Sequence, residues 1–222
     1  MIPIRDVIPS RTTPVVTILL IVINALVFLW MPATGSAAFQ SFVHTWGVTP
    51  ANFHLPTVLS AMFVHAGVGH LASNMLFLWI FGDNVEDDLG HGRFTGFYLV
   101  TGLLASLSHV VSTFVVGDNP FIPSLGASGA ISGVMGGYLV LHPHRRVQVL
   151  MFRMISEVPG YVAVGLWFLF QLISAFGVIG QGPQAGGGVA FMAHIGGFVA
   201  GGVLVRLFAV GSRPPARRAA AW

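Results

Sequence analysis

The chain runs as long apolar stretches separated by short polar breaks. Six stretches approach the ~20 residues that an α-helix needs to cross a bilayer. They are Pro14–Met31, His70–Val85, Phe94–Val116, Ser128–Leu141, Gly160–Ile179 and Ala190–Val210. The pattern predicts an all-α integral membrane protein with six transmembrane helices. Residues 1–13 form a cytoplasmic N-terminal segment, 14–210 the membrane domain and 211–222 a cytoplasmic tail. Arg5 and Arg11 before the first stretch, and Ala33-Thr-Gly-Ser-Ala37 after it, resemble a signal peptide. Five further stretches favour a retained first helix.

Two stretches depart from an ordinary span. The fourth lies between Gly126 and the helix-ending Pro143. Its run of about 14 residues reaches only about 21 Å, against a hydrocarbon core of ~30 Å. Its start therefore lies below the outer surface, and the preceding loop, through Asn119-Pro120 and Pro123, dips in after it. Irregular backbone at that depth requires burial in protein or a wet cavity. Ser128 is thus expected at a helix start, inside the membrane and beside water. The second stretch opens with His65-Ala-Gly-Val-Gly-His70-Leu-Ala-Ser-Asn74, whose polar groups should face the same cavity.

Composition agrees with a membrane setting. Hydrophobic residues make up 55% of the 222 and charged residues 8%, against about 25% charged in soluble domains. All ten basic residues are arginines. With six spans and a cytoplasmic N-terminus, each falls on the cytoplasmic side, and loops 32–69, 117–127 and 180–189 carry none. The net charge of +3 therefore reports topology, and nucleic acid is not an expected partner. Arginine-only basic composition suits a bacterial cytoplasmic membrane. The absence of cysteine excludes disulfides and thiolate chemistry.

Intramembrane ionisable groups are the candidates for chemistry. Of the nine histidines, His142 and His144 lie in a cytoplasmic loop, His91 near a helix end, and His44 and His54 in the long outer loop. His109 suits a structural hydrogen bond. His65, His70 and His194 remain. His194 shares a helix face with Gly197 and Gly201, and Gly129, Gly133 and Gly136 or Gly137 form a matching stripe on the fourth stretch. Such stripes are ordinary in membrane-helix packing. Packed together here, they bring His194 level with Ser128.

That joint pattern fits acyl transfer. Ser128 is the candidate nucleophile and His194 the general base. The Ser128 N–H, at a helix N-terminus, can serve an oxyanion hole, and the side chains of His70 and Asn74 can add donors. Asp118 is the one acid expected near the outer face; Asp6, Asp83, Glu86, Asp87, Asp88 and Glu157 belong to the cytoplasmic side. A dyad is what the inventory permits. With no H-E-x-x-H and no carboxylate near the buried histidines, neither a metal nor a cofactor is expected.

These motifs resemble the rhomboid intramembrane serine proteases. His65-x4-His70-x3-Asn74 resembles the family's second-helix motif, and Gly82-x3-Glu86-x3-Gly90 the pattern after it. Gly126-Ala127-Ser128-Gly129 resembles the nucleophile motif, and Ala193-His194-x2-Gly197-x3-Gly201 the sixth-helix motif. The resemblance implies a six-helix rhomboid-like bundle with a short, internally starting fourth helix. It implies peptide-bond hydrolysis in or near transmembrane segments of membrane-protein substrates, within a lipid bilayer. It places Gly126, Ala127 and Gly129 beside the substrate. It also implies a gate of the fifth span and loop 180–188, with Gln181 and Gln184, and the loop's glycines independently suit a mobile cap. Two positions depart from the family. A Trp-Arg pair common in the outer loop is replaced by Leu55-Pro-Thr-Val58, and an aromatic one turn past the nucleophile is Ser132.

Two other functions compete. An inactive relative that binds membrane clients is disfavoured by retention of both Ser128 and His194. A small transporter would call for an inverted repeat or a midplane carboxylate, and neither is evident in the sequence.

Overall fold

The computed structural model describes residues 2–7, 10–151, 153–178 and 190–211. A strand β1 (Ile2–Asp6) precedes helix α1 (Val15–Trp30). The outer segment then folds into α2 (Ala37–Trp46), a 3₁₀ turn (Pro50–Asn52) and α3 (Leu55–Ala61). Helices α4 (Val68–Leu89), α5 (His91–Val116) and α6 (Ser128–Leu141) follow. Strands β2 (Arg146–Met151) and β3 (Met154–Pro159) then lead to α7 (Gly160–Val178) and α8 (Phe191–Ala209).

Each apolar stretch of the sequence forms a helix. Among the described residues, α5 and α8 are long and apolar enough to cross a membrane, while α1, α6 and α7 are shorter apolar helices. Length and composition alone thus support two crossings outright, fewer than the six expected. Many large apolar side chains face outward, among them Leu26, Leu29 and Trp30 on α1 and Phe170 and Phe176 on α7.

Helix α6 occupies the centre of the bundle. Every residue from Gly129 to Tyr138 is buried, so α6 is surrounded by protein on all sides, as its unbroken apolar and small-residue sequence requires. It packs most extensively on α8, and both lie against α5. Glycines set the α6–α8 spacing. A Cβ built on Gly201 would lie 1.9 Å from the Gly133 carbonyl oxygen, and one on Gly197 2.1 Å from that of Gly129. Only glycine permits backbones this close.

Helix α4 runs past its expected end at Val85 to Leu89 because its acidic residues have partners. The buried Glu86 carboxylate accepts from the N–H groups of Val16 and Thr17, at 2.9 and 2.8 Å, and from the Thr17 hydroxyl. These N–H groups belong to the first turn of α1, where a carboxylate satisfies unpaired donors and the positive helix end. Asp87 accepts from the backbone N–H groups of Arg11 and Thr12, and Asp88 pairs with Arg11 and His142. His91 contacts Glu86 at 2.6 Å. His91, half exposed, and His142, mostly covered, thus both bind acids of α4.

An all-α fold needs correction. β1, β2 and β3 form an antiparallel sheet in that order, with Ile2 opposite Leu150 and Arg146 opposite Pro159. β2 alternates in the strand period of two. Val147 and Val149 are fully buried against the helical core, while Arg146 is exposed. Tyr138 donates to Asp6, fastening β1 to the end of α6.

On the opposite side, α2 is capped by Ser36, whose hydroxyl accepts from the Phe39 N–H at 3.0 Å. Val58 of α3 is buried with Val48 and Ala61 in a small apolar cluster, so apolar packing fills the place of the missing Trp-Arg pair.

Candidate active site

Three backbone hydrogen bonds hold the segment before Ser128. Val48 and Ser124 exchange N–H···O bonds of 2.9 and 2.8 Å, and the Gly126 N–H donates to the Ala61 carbonyl at 2.8 Å. Gly126 then turns at φ +113, a conformation that L side chains rarely adopt. The chain enters α6 at Ser128, its first helical residue.

His194 lies in the first turn of α8. Close approach of the α6 and α8 backbones puts its Nε2 2.7 Å from Ser128 Oγ. On the other side of the ring, Nδ1 lies 2.8 Å from Oε1 of Gln171 on α7. A neutral imidazole carries one donor and one acceptor nitrogen. With the Gln171 carbonyl accepting from Nδ1–H, Nε2 is free to accept from the Ser128 hydroxyl. The ring also meets Trp167 at 6.1 Å and Phe191 edge-on at 6.5 Å between centroids.

Ser132, one turn after Ser128, does not support the histidine. Its hydroxyl donates to the Ser128 carbonyl at 2.6 Å, within its own helix. Gln171 and Trp167 are the residues that sequence reasoning missed. The available signal was a glutamine in the middle of an almost wholly apolar helix, a position where a polar group needs a partner.

His70 is brought to the same place. Its Cε1 and Nε2 lie 2.8 Å from where a Cβ of Gly126 would be, so glycine there leaves room for the imidazole. Its Nδ1 lies 3.4 Å from the Ala66 N–H. Asn74 is buried, and one N–H of its amide donates to the His70 carbonyl at 2.8 Å. An amide has two such donors, so the second is left for another acceptor. His65 is fully buried with its ring edge-on to His70, centroids 5.0 Å apart. Asp118 is exposed and accepts from the Asn119 N–H.

A cavity of about 710 Å³ opens onto Ser128 and His194. α4 lines it with His70, Asn74 and Phe77, and α7 with Trp167 and Gln171. Of the residues flanking Ser128, Ala127 and Gly129 are buried and Gly126 is partly exposed. Gln181 and Gln184 lie outside the described residues.

Comparison with known proteins shows the family of the chain. The mitochondrial Rhomboid protein 1 of Saccharomyces cerevisiae is 33% identical over 150 residues, covering 65% of this chain and 39% of the yeast protein. Rhomboid protease GluP of Bacillus subtilis is 33% identical over 130 residues, covering 57% of this chain and 24% of that protein. The mitochondrial presenilin-associated rhomboid-like protein of Mus musculus is 32% identical over 145 residues, 64% of this chain and 37% of its own length. The chain thus spans well under half the length of these relatives. Mitochondrial proteins among them conflict with an assignment to a bacterial cytoplasmic membrane, and that assignment is withdrawn. The family profile for the Rhomboid domain matches residues 52–210, and the chain belongs to the rhomboid family.

Proposed function

We propose that the protein is an intramembrane serine endopeptidase that cleaves transmembrane protein substrates through a Ser128–His194 dyad. The observation that carries this reading is the 2.7 Å contact between Ser128 Oγ and His194 Nε2, at the start of a buried helix and at the wall of a cavity. Membership of a family that includes a protein named as a protease supports it.

In the proposed reaction Ser128 Oγ attacks the scissile carbonyl while His194 Nε2 takes the hydroxyl proton. Negative charge develops on the carbonyl oxygen, where the Ser128 N–H and the side chains of His70 and Asn74 can donate. His194 then protonates the leaving amine. Water, deprotonated by His194, attacks the acyl-enzyme and releases the second product, restoring Ser128. Gly126, Ala127 and Gly129 border the scissile bond. In this reading the membrane domain spans 14–210 in six passes, with both flanking segments cytoplasmic, as the arginine distribution favours.

A serine-directed fluorophosphonate tests the reading without knowledge of the substrate. Peptide mapping should find one adduct on Ser128 of the parent protein and none in His194→Ala. An unmodified Ser128 in folded parent protein would contradict the proposal.

A further inference from the structure

We propose that Gln171 is a positioning residue that selects the base-competent tautomer of His194. The inference rests on the dyad reading for its catalytic consequence, and on geometry alone for the hydrogen bond. Gln171 Oε1 accepts at 2.8 Å from the ring nitrogen that does not face Ser128. For Nε2 to take the serine proton, Nδ1 must carry its own hydrogen. In that tautomer Nδ1–H needs an acceptor, since an unpaired buried donor is costly. No carboxylate fills the role among the described residues: Asp118 is exposed in the outer loop, and the other acids gather on α4, β1 and β3.

The alternatives for holding the ring are accounted for. Ser132 is turned to the Ser128 carbonyl. Trp167 and Phe191 supply ring contacts, which fix the plane of an imidazole but not its tautomer. Trp167 stands one turn before Gln171, so a single face of α7 provides both an aromatic wall and a hydrogen-bond acceptor. The opposite face, with Leu169, Phe170, Ile173 and Phe176, is exposed. The inner face also lines the cavity across from α4. The helix that borders the space for substrate therefore carries the acceptor that readies the base, and displacing α7 outward removes it.

The test uses protein labelled with ¹⁵N-histidine in lipid nanodiscs, with His194 assigned by loss of its signals in His194→Gln. The parent should show a protonated Nδ1 and an unprotonated Nε2 at neutral pH. Gln171→Leu, close in size and suited to an apolar helix, should mix the two tautomers. It should also slow fluorophosphonate labelling of Ser128 by about 3- to 10-fold, the effect of one neutral hydrogen bond. Gln171→Glu keeps an acceptor and adds charge. It should restore labelling and move the acidic limb of its pH profile to higher pH, since a carboxylate favours the imidazolium. A purely structural residue would leave that limb in place. The inference is overturned if Gln171→Leu keeps the parent nitrogen signals, or if both variants keep the parent pH profile. Absence of labelling in the parent counts against the dyad's function, while the nitrogen signals still decide the role of Gln171.

Discussion

Gly201 of α8 lies against the backbone of Gly133 of α6, so closely that a Cβ would fall 1.9 Å from the Gly133 carbonyl oxygen. This contact, with that of Gly197 on Gly129, fixes the depth at which His194 meets Ser128. Gly201→Ala cannot be absorbed by a side-chain rotation, because the obstacle is backbone. The substitution should cost about 3 kcal/mol or more, at the upper end of overpacking effects. It should also reduce phosphonate labelling of Ser128 in the molecules that remain folded. Thermal unfolding in detergent, run beside the labelling, measures both; an unchanged midpoint would show that the helices can part without loss.

Gly126→Ala probes the turn into α6. The position has φ +113, and a Cβ would lie 2.8 Å from the ring of His70. Strain at this positive φ should cost about 1–3 kcal/mol, leaving a folded protein. If His70 serves the proposed oxyanion site, displacing it should lower the rate of the proposed cleavage by on the order of 10²-fold. Comparing the rate with that of His70→Ala checks the cause. The double variant should be no slower than His70→Ala alone.

Ser132→Ala should change little. The hydroxyl is occupied by the Ser128 carbonyl at 2.6 Å, and a bond of this kind adds little to a helix. Labelling within about threefold of the parent is expected, below the change that one net hydrogen bond brings at most. A larger loss, read from the same kinetics, would locate support for His194 at position 132.

The existence of each apolar helix and the bounds of α6 were legible, as was the proximity of Ser128 and His194, because each has a local signature. Gly126 and Pro143 frame α6, which ends at Leu141, and the glycine stripes predicted which helices meet. The partner of His194 was not legible. Gln171 announces a polar need in an apolar helix, but which side chain answers it depends on how α7 sits against α8. The sheet was hidden for a similar reason. Val147 and Val149 flank Gln148 in a strand period, and β3 follows as a local hairpin, yet the strand on the other side is Ile2–Asp6, at the far end of the chain. Read as cytoplasmic charges, Glu86 and Asp87 gave no sign that they cap the start of α1. Asn74 was recognised as a donor, while its bond to the His70 carbonyl follows from the i, i+4 geometry of α4.

Glu86→Ala should be among the most destabilising single changes outside the core. It removes acceptors for Val16 N–H, Thr17 N–H and the Thr17 hydroxyl, and the partner of His91. The loss is about 3 kcal/mol or more, since a buried donor cluster is left unpaired. Glu86→Gln keeps one acceptor oxygen and should recover part of it. Unfolding midpoints of the three proteins in one detergent give the order parent, Gln, Ala; equal midpoints would remove Glu86 from the account of how α1 is held.

The most direct test of the central claim is cleavage itself. Purified protein in liposomes is given a single-span membrane substrate, beside Ser128→Ala and His194→Ala variants of equal folded content. The account predicts a substrate cut by the parent, with no product detectable from either variant. Undiminished cleavage by Ser128→Ala would contradict it, as would a parent that binds the substrate and leaves it whole.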